Sequence, residues 1–129
     1  MKYILTISLF FLLYFLSGCS NTTVDTNNNS ISTRSVNDTL AIALSATNYS
    51  GSQDIEMYFS VDSVKLSLAV TGYGSGSGSF KLYEDTALVY SKDLSSNNIS
   101  EQKVLFTRPT KAAINFSGYK GNASILVTQ

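Results

Sequence analysis

Hydrophobic and polar positions divide the chain into three stretches. Residues 4–16 are apolar apart from Thr6 and Ser8, residues 20–35 are dominated by Asn, Ser and Thr, and from Val36 onward apolar residues recur at every second position. A period of two puts alternate side chains on opposite faces of an extended strand, whereas a helix would need recurrence every three or four. Leu40, Ile42 and Leu44 alternate with Ala41, Ala43 and Ser45, and Val64, Leu66, Leu68 and Val70 alternate with Lys65, Ser67, Ala69 and Thr71. Each set reads as a half-buried strand with its large residues inward. Further strands are expected at 55–61, 79–84, 87–91, 103–107, 112–117 and 123–128. Turn residues separate them at 48–51, 84–85, 95–98, 108–109 and 118–121. No window of a dozen residues sustains a helical period. The pattern predicts an all-β domain over residues 36–129, a single antiparallel β-sandwich of about eight short strands.

Between two of these strands lies Gly72-Tyr73-Gly74-Ser75-Gly76-Ser77-Gly78-Ser79. It obeys neither the G-x-G-x-x-G spacing nor the Gly-Lys-Ser/Thr ending of phosphate-cradling loops, and it joins strands where those motifs need a helix. It is expected to be a long, flexible hairpin loop. Tyr73 would be the aromatic contact on its rim. Tyr49, Tyr58, Tyr83 and Tyr119 also fall in the outward phase, and a ring with one polar tip suits a sugar face. Tyr73 and Tyr119 are therefore the candidate ligand-binding residues.

The apolar run at 4–16 follows Lys2 and is too short to cross a hydrocarbon core of about 30 Å, which needs roughly 20 apolar residues. A short positive end, an apolar run and small residues in that order make a secretory signal. Its last residues, Leu16-Ser17-Gly18-Cys19, resemble the lipobox of bacterial lipoproteins at all four positions. The resemblance implies that residues 1–18 are removed and that the Cys19 thiol carries a diacylglycerol, which anchors the protein to a membrane. Cys19 is the one cysteine in the chain, so it has no partner for an intramolecular disulfide. Two or more acyl chains hold stably where one holds marginally. Ser20, rather than Asp, follows the cysteine; in a diderm source this resembles an outer-membrane address within the cell envelope. Residues 20–35 bury too little apolar surface to offset their ordering entropy. With Cys19 they are expected to form a flexible tether over 19–35, roughly 20–25 Å end to end.

Composition narrows the chemistry. Nine Lys and Arg balance nine Asp and Glu with no basic run, so a nucleic-acid partner is not expected. The absence of histidine removes Ser-His-Asp and Cys-His catalysis and histidine-ligated metals. Asp54, Glu56 and Asp62 have the oxygen chemistry for calcium, but their spacing fits no dedicated loop. No cofactor, no metal and no enzymatic activity are expected.

A second resemblance lies in three stretches: 64–72, VKLSLAVTG; 78–84, GSFKLYE; and 114–125, INFSGYKGNASI. Together they look like the jelly-roll β-sandwich modules of secreted bacterial proteins, with galactose-binding-like and pre-peptidase C-terminal domains the nearest types. The resemblance implies a fold and carries no site residue. The expected function is that of a membrane-anchored, non-enzymatic lipoprotein acting as a binding or structural module at the bacterial cell envelope, with an envelope protein or a glycan as partner. The alternative is a module that binds carbohydrate or another small ligand.

Overall fold

The computed structural model of the protein describes residues 20–24 and 28–129. Seven strands make up the fold, and no helix occurs among the described residues: β1 (Ser20–Val24), β2 (Ser30–Val36), β3 (Thr39–Glu56), β4 (Val64–Glu84), β5 (Ala87–Asp93), β6 (Ile99–Leu105) and β7 (Lys111–Thr128). All pair antiparallel in the order β1-β2-β3-β7-β4-β5, with β6 also on β4. Strand β7 is the axis, because β3 and β4 flank it along almost its whole length.

The three long strands bend at one level. Register shifts interrupt β3 between Ala46 and Gly51, and β4 between Thr71 and Ser77. Positive φ angles at Gly118 and Gly121 turn β7 at the same height. One continuous sheet is thereby folded over on itself into two layers. In the first layer β6 pairs with residues 64–70 of β4; in the second, β5 pairs with residues 79–84 of that same strand. Between the layers lies one core that includes Leu40, Leu66, Leu68, Val70, Phe80, Leu82, Ile114 and Ile125. The inward phase of Val64, Leu66, Leu68 and Val70 is as the alternation requires.

Bulges supply the bends, since an extra unpaired residue kinks a strand and raises its twist. At the crossing of two bends only glycine fits. Gly76 has φ +85°, and a Cβ there would run into the Gly118 carbonyl of the neighbouring strand. The turns between strands use Asp38, Asp85 and Asn98, each at positive φ, which short polar side chains tolerate best after glycine.

Three expectations change. The stretches at 48–51, 72–79 and 118–121 are corners inside single strands rather than turns between separate ones, which reduces the eight expected strands to five, and β1 and β2 bring the number among the described residues to seven. The Gly/Ser stretch is not a hairpin loop: residues on either side of it pair with β7 and not with each other. Nor is residue 36 the start of the sheet. The segment read as a tether contains β1 and β2, with Ile31 and Thr33 turned into the core. Buried Asn29 secures it there, its Oδ1 accepting from Thr47 N at 2.7 Å and its Nδ2 donating to Asn48 O at 3.1 Å. The signal segment and Cys19 lie outside the described residues.

Candidate functional site

The two ends of the sandwich differ in construction. At the corner end, the Asn97 side chain accepts from Tyr73 N at 2.6 Å and donates to Tyr73 O at 2.8 Å, which pins the bend of β4 to the link between β5 and β6. The Tyr73 hydroxyl donates to Gly76 O within the same bend, and its ring lies 5.7 Å from that of Tyr119. Tyr119 is fully buried, packs edge-on against Phe116 and donates to Leu94 O at 3.1 Å. Burial pushes its hydroxyl pKa up. The two candidate tyrosines are therefore brought together, but as a tilted structural pair. Tyr119 presents no face to a ligand, and Tyr73 is half-buried with its hydroxyl engaged.

One side edge is closed by a polar latch between the layers. Glu101 on β6 accepts from Lys92 Nζ at 2.6 Å and from the Tyr90 hydroxyl at 3.0 Å, both on β5. Lys92 holds the Glu101 carboxyl below the usual carboxylate range, while burial, with Glu101 adding to it, pushes Tyr90 up. Each group is committed to its neighbour. The candidate calcium residues do not assemble, and among the described residues no group of three acids, histidines or cysteines is placed to hold a metal.

The outward face of the first layer is different. Across it, Gln102, Ser67, Leu126, Ala41 and Arg34 are successive register partners on β6, β4, β7, β3 and β2. The next row is Ser100, Ala69, Ser124, Ala43 and Ser32; on the other side lie Val104, Lys65, Thr128, Thr39 and Val36. Ser67, Ala69, Ser124, Ala41 and Ala43 on the inner strands leave two shallow depressions, about 390 Å³ beside Lys65, Gln102 and Val104 and about 340 Å³ beside Arg34 and Ser32. They meet at Leu126, which is 41% exposed. These rows contain two cations, Arg34 and Lys65, and no carboxylate. On the outward face of the second layer charges are mixed: Lys111 lies 4.9 Å over the Tyr83 ring and 3.8 Å from Asp54, with Glu56 as its register partner.

What this trough offers is chemical recognition rather than catalysis. Hydroxyls from Ser32, Ser67, Ser124 and Thr128 and the Gln102 amide can donate and accept, and the Arg34 guanidinium matches a carboxylate or phosphate in shape. Sequence reasoning missed it for two reasons: Arg34 was counted in the tether, and the rows exist only once distant strands are in register.

No family model matches the chain, and no curated protein matches it. Among solved structures it is similar to the capsular polysaccharide assembling protein CapF from Staphylococcus aureus, at 14% identity over 88% of this chain and 29% of that one, with a TM-score of 0.39. It is also similar to a family 29 carbohydrate-binding module, CBM29-2, at 14% identity over 85% and 76% of the two chains and a TM-score of 0.30. A third is the C-terminal CBM6 of LamC from Zobellia galactanivorans, at 12% identity, 88% and 94% coverage and a TM-score of 0.29. The chain thus spans about 30% of the length of the CapF chains it matches. Similarity at this level transfers no ligand and no residue role.

Proposed function

We propose that the protein is a lipid-anchored, non-enzymatic binding module of the bacterial cell envelope that holds an acidic polysaccharide across the trough of its first layer. The observation that carries this reading is the charge of that face, where Arg34 and Lys65 stand without a carboxylate on a protein whose nine cations and nine acids balance overall. A surface of one sign draws a polymer of the other and raises its local concentration. Two shallow depressions on either side of Leu126, set across five strands, suit an extended chain better than a small molecule. The rows lack an aromatic ring, so hydrogen bonds and charge supply the recognition in place of stacking. The anchor rests on the lipobox at 16–19, and Cys19→Ser should release the protein from membranes.

Retention on immobilised polygalacturonate, with dextran as the neutral control, tests the ligand class. The protein should be retained on the acidic polymer alone, and Arg34→Ala with Lys65→Ala should abolish retention without changing the melting temperature. Equal retention on both polymers, or retention indifferent to the two substitutions, would overturn the reading.

A further inference from the structure

The end opposite the corners carries exposed apolar side chains on its loops. Phe106 is 89% exposed and follows directly on Leu105, which pairs with Val64 at the first residue of β4. Tyr58, 64% exposed, is held at the same end, because its carbonyl accepts from Asp38 N in the turn between β2 and β3. Val61 is exposed between Tyr58 and Val64. Below them is a cleft of about 450 Å³ walled by Phe59, Arg108 and Pro109. An aromatic with a polar tip, a bare phenylalanine and an aliphatic residue on loop tips are costly in water and suited to a membrane–water boundary.

Strand β1 enters from that end. Ser20 pairs with Arg34, two residues before β2 finishes at Val36, and β1 runs from there toward the corners. Consecutive Cα atoms are about 3.8 Å apart, so Cys19 is one step from a residue already fixed in the sheet. With Ser20 in β1, no 16-residue linker separates an acyl chain on Cys19 from the domain.

We propose that the 57–63 and 106–110 loops rest in the membrane interface, with Phe106, Tyr58 and Val61 inserted among the lipids and the glycine corners pointing away. The proposal rests on the reading of Cys19 as lipidated. The occupant is the bilayer itself, since Ser20, the residue after the lipobox cysteine, and the exposed apolar tips share one end of the molecule. On the loop tips themselves the charge is paired: Arg108 lies 3.7 Å from Asp62. The apolar tips should accordingly insert into phosphatidylcholine without any anionic lipid.

The experiment uses the full protein, extracted from membranes and reconstituted into phosphatidylcholine vesicles that carry a lipid-borne quencher. An acylated Cys19 has no free thiol, so Asp62→Cys and Ser75→Cys each accept one fluorescent label, at opposite ends, with Phe106 and Tyr58 intact. The label at 62 should be quenched severalfold more than the label at 75, and Phe106→Ser with Tyr58→Ser should remove the difference. Equal quenching, or protection at 62 only when other membrane proteins are present, would overturn the orientation while leaving the anchor intact. The mass of the N-terminal peptide separates the two readings: an unacylated Cys19 would remove the anchor, and the orientation with it.

Discussion

Tyr119 shows how much a single hydroxyl can decide. Its ring fills the inside of the β7 corner, and its OH reaches the Leu94 carbonyl where no water can substitute. Tyr119→Phe should therefore cost about 1–3 kcal/mol in urea unfolding, the cost of leaving a buried acceptor unmade. A loss too small to measure would show that the carbonyl finds another donor. Asp38 gives the matching prediction for pH. Hydrogen bonds from Ser60 N and Oγ hold its carboxyl below the usual range, as those from Ser95 and Lys92 hold Asp93 and Glu101. A carboxyl whose pKa is depressed on folding contributes stability that is full above its unfolded value of about 4 and is lost as pH falls through the folded one. Stability should thus be level near neutrality and decline below about pH 4. Asp38→Asn should make the decline shallower, which denaturant titrations at several pH values would read directly.

At the scale of elements, the alternation placed strands well and joined them poorly. The inward set of 64, 66, 68 and 70 was legible because it depends only on local phase, and Leu68→Ala should cost on the order of 2–5 kcal/mol while Ser67→Ala costs far less. The corners were not legible. A turn between strands and a bend within one demand the same residues, since both need positive φ, and which of them forms depends on whether a third strand bridges the bend. Here β7 does so for β3 and for β4. The bend at Gly118 also switches the inward phase from Ile114 and Phe116 to Tyr119 and Ala123, which is why Tyr119 counted as outward in the sequence. The same reasoning reverses the expectation for the Gly/Ser stretch. Gly76→Ala should destabilise the fold by at least about 1–3 kcal/mol, from its left-handed φ and its clash with Gly118. Replacing 74–78 by a two-residue turn should prevent folding, because the flanking segments lie in different layers. Near-normal circular dichroism and melting after that replacement would contradict the bent-strand architecture.

The whole molecule has two distinct ends and two distinct faces. The corner end is tied by Asn97, Asn29 and the tyrosine pair; the loop end carries the apolar tips and the start of β1; the trough crosses the outward face of the first layer between them. Such a layout leaves the trough free to meet a polymer when the protein stands on a membrane. Alternation within each strand revealed which residues face outward, yet the trough joins five strands from distant parts of the chain and so became visible only with the register. Its charge is the central claim, and salt tests it most directly. In titrations of polygalacturonate into the wild-type protein and into a variant carrying both Arg34→Ala and Lys65→Ala, wild-type affinity should fall steadily as salt rises, because screening weakens exposed charges. The double variant should start roughly tenfold weaker or more, as expected for two lost charge-assisted contacts, and respond little to salt. Wild-type and variant curves that coincide at every salt concentration would contradict the account.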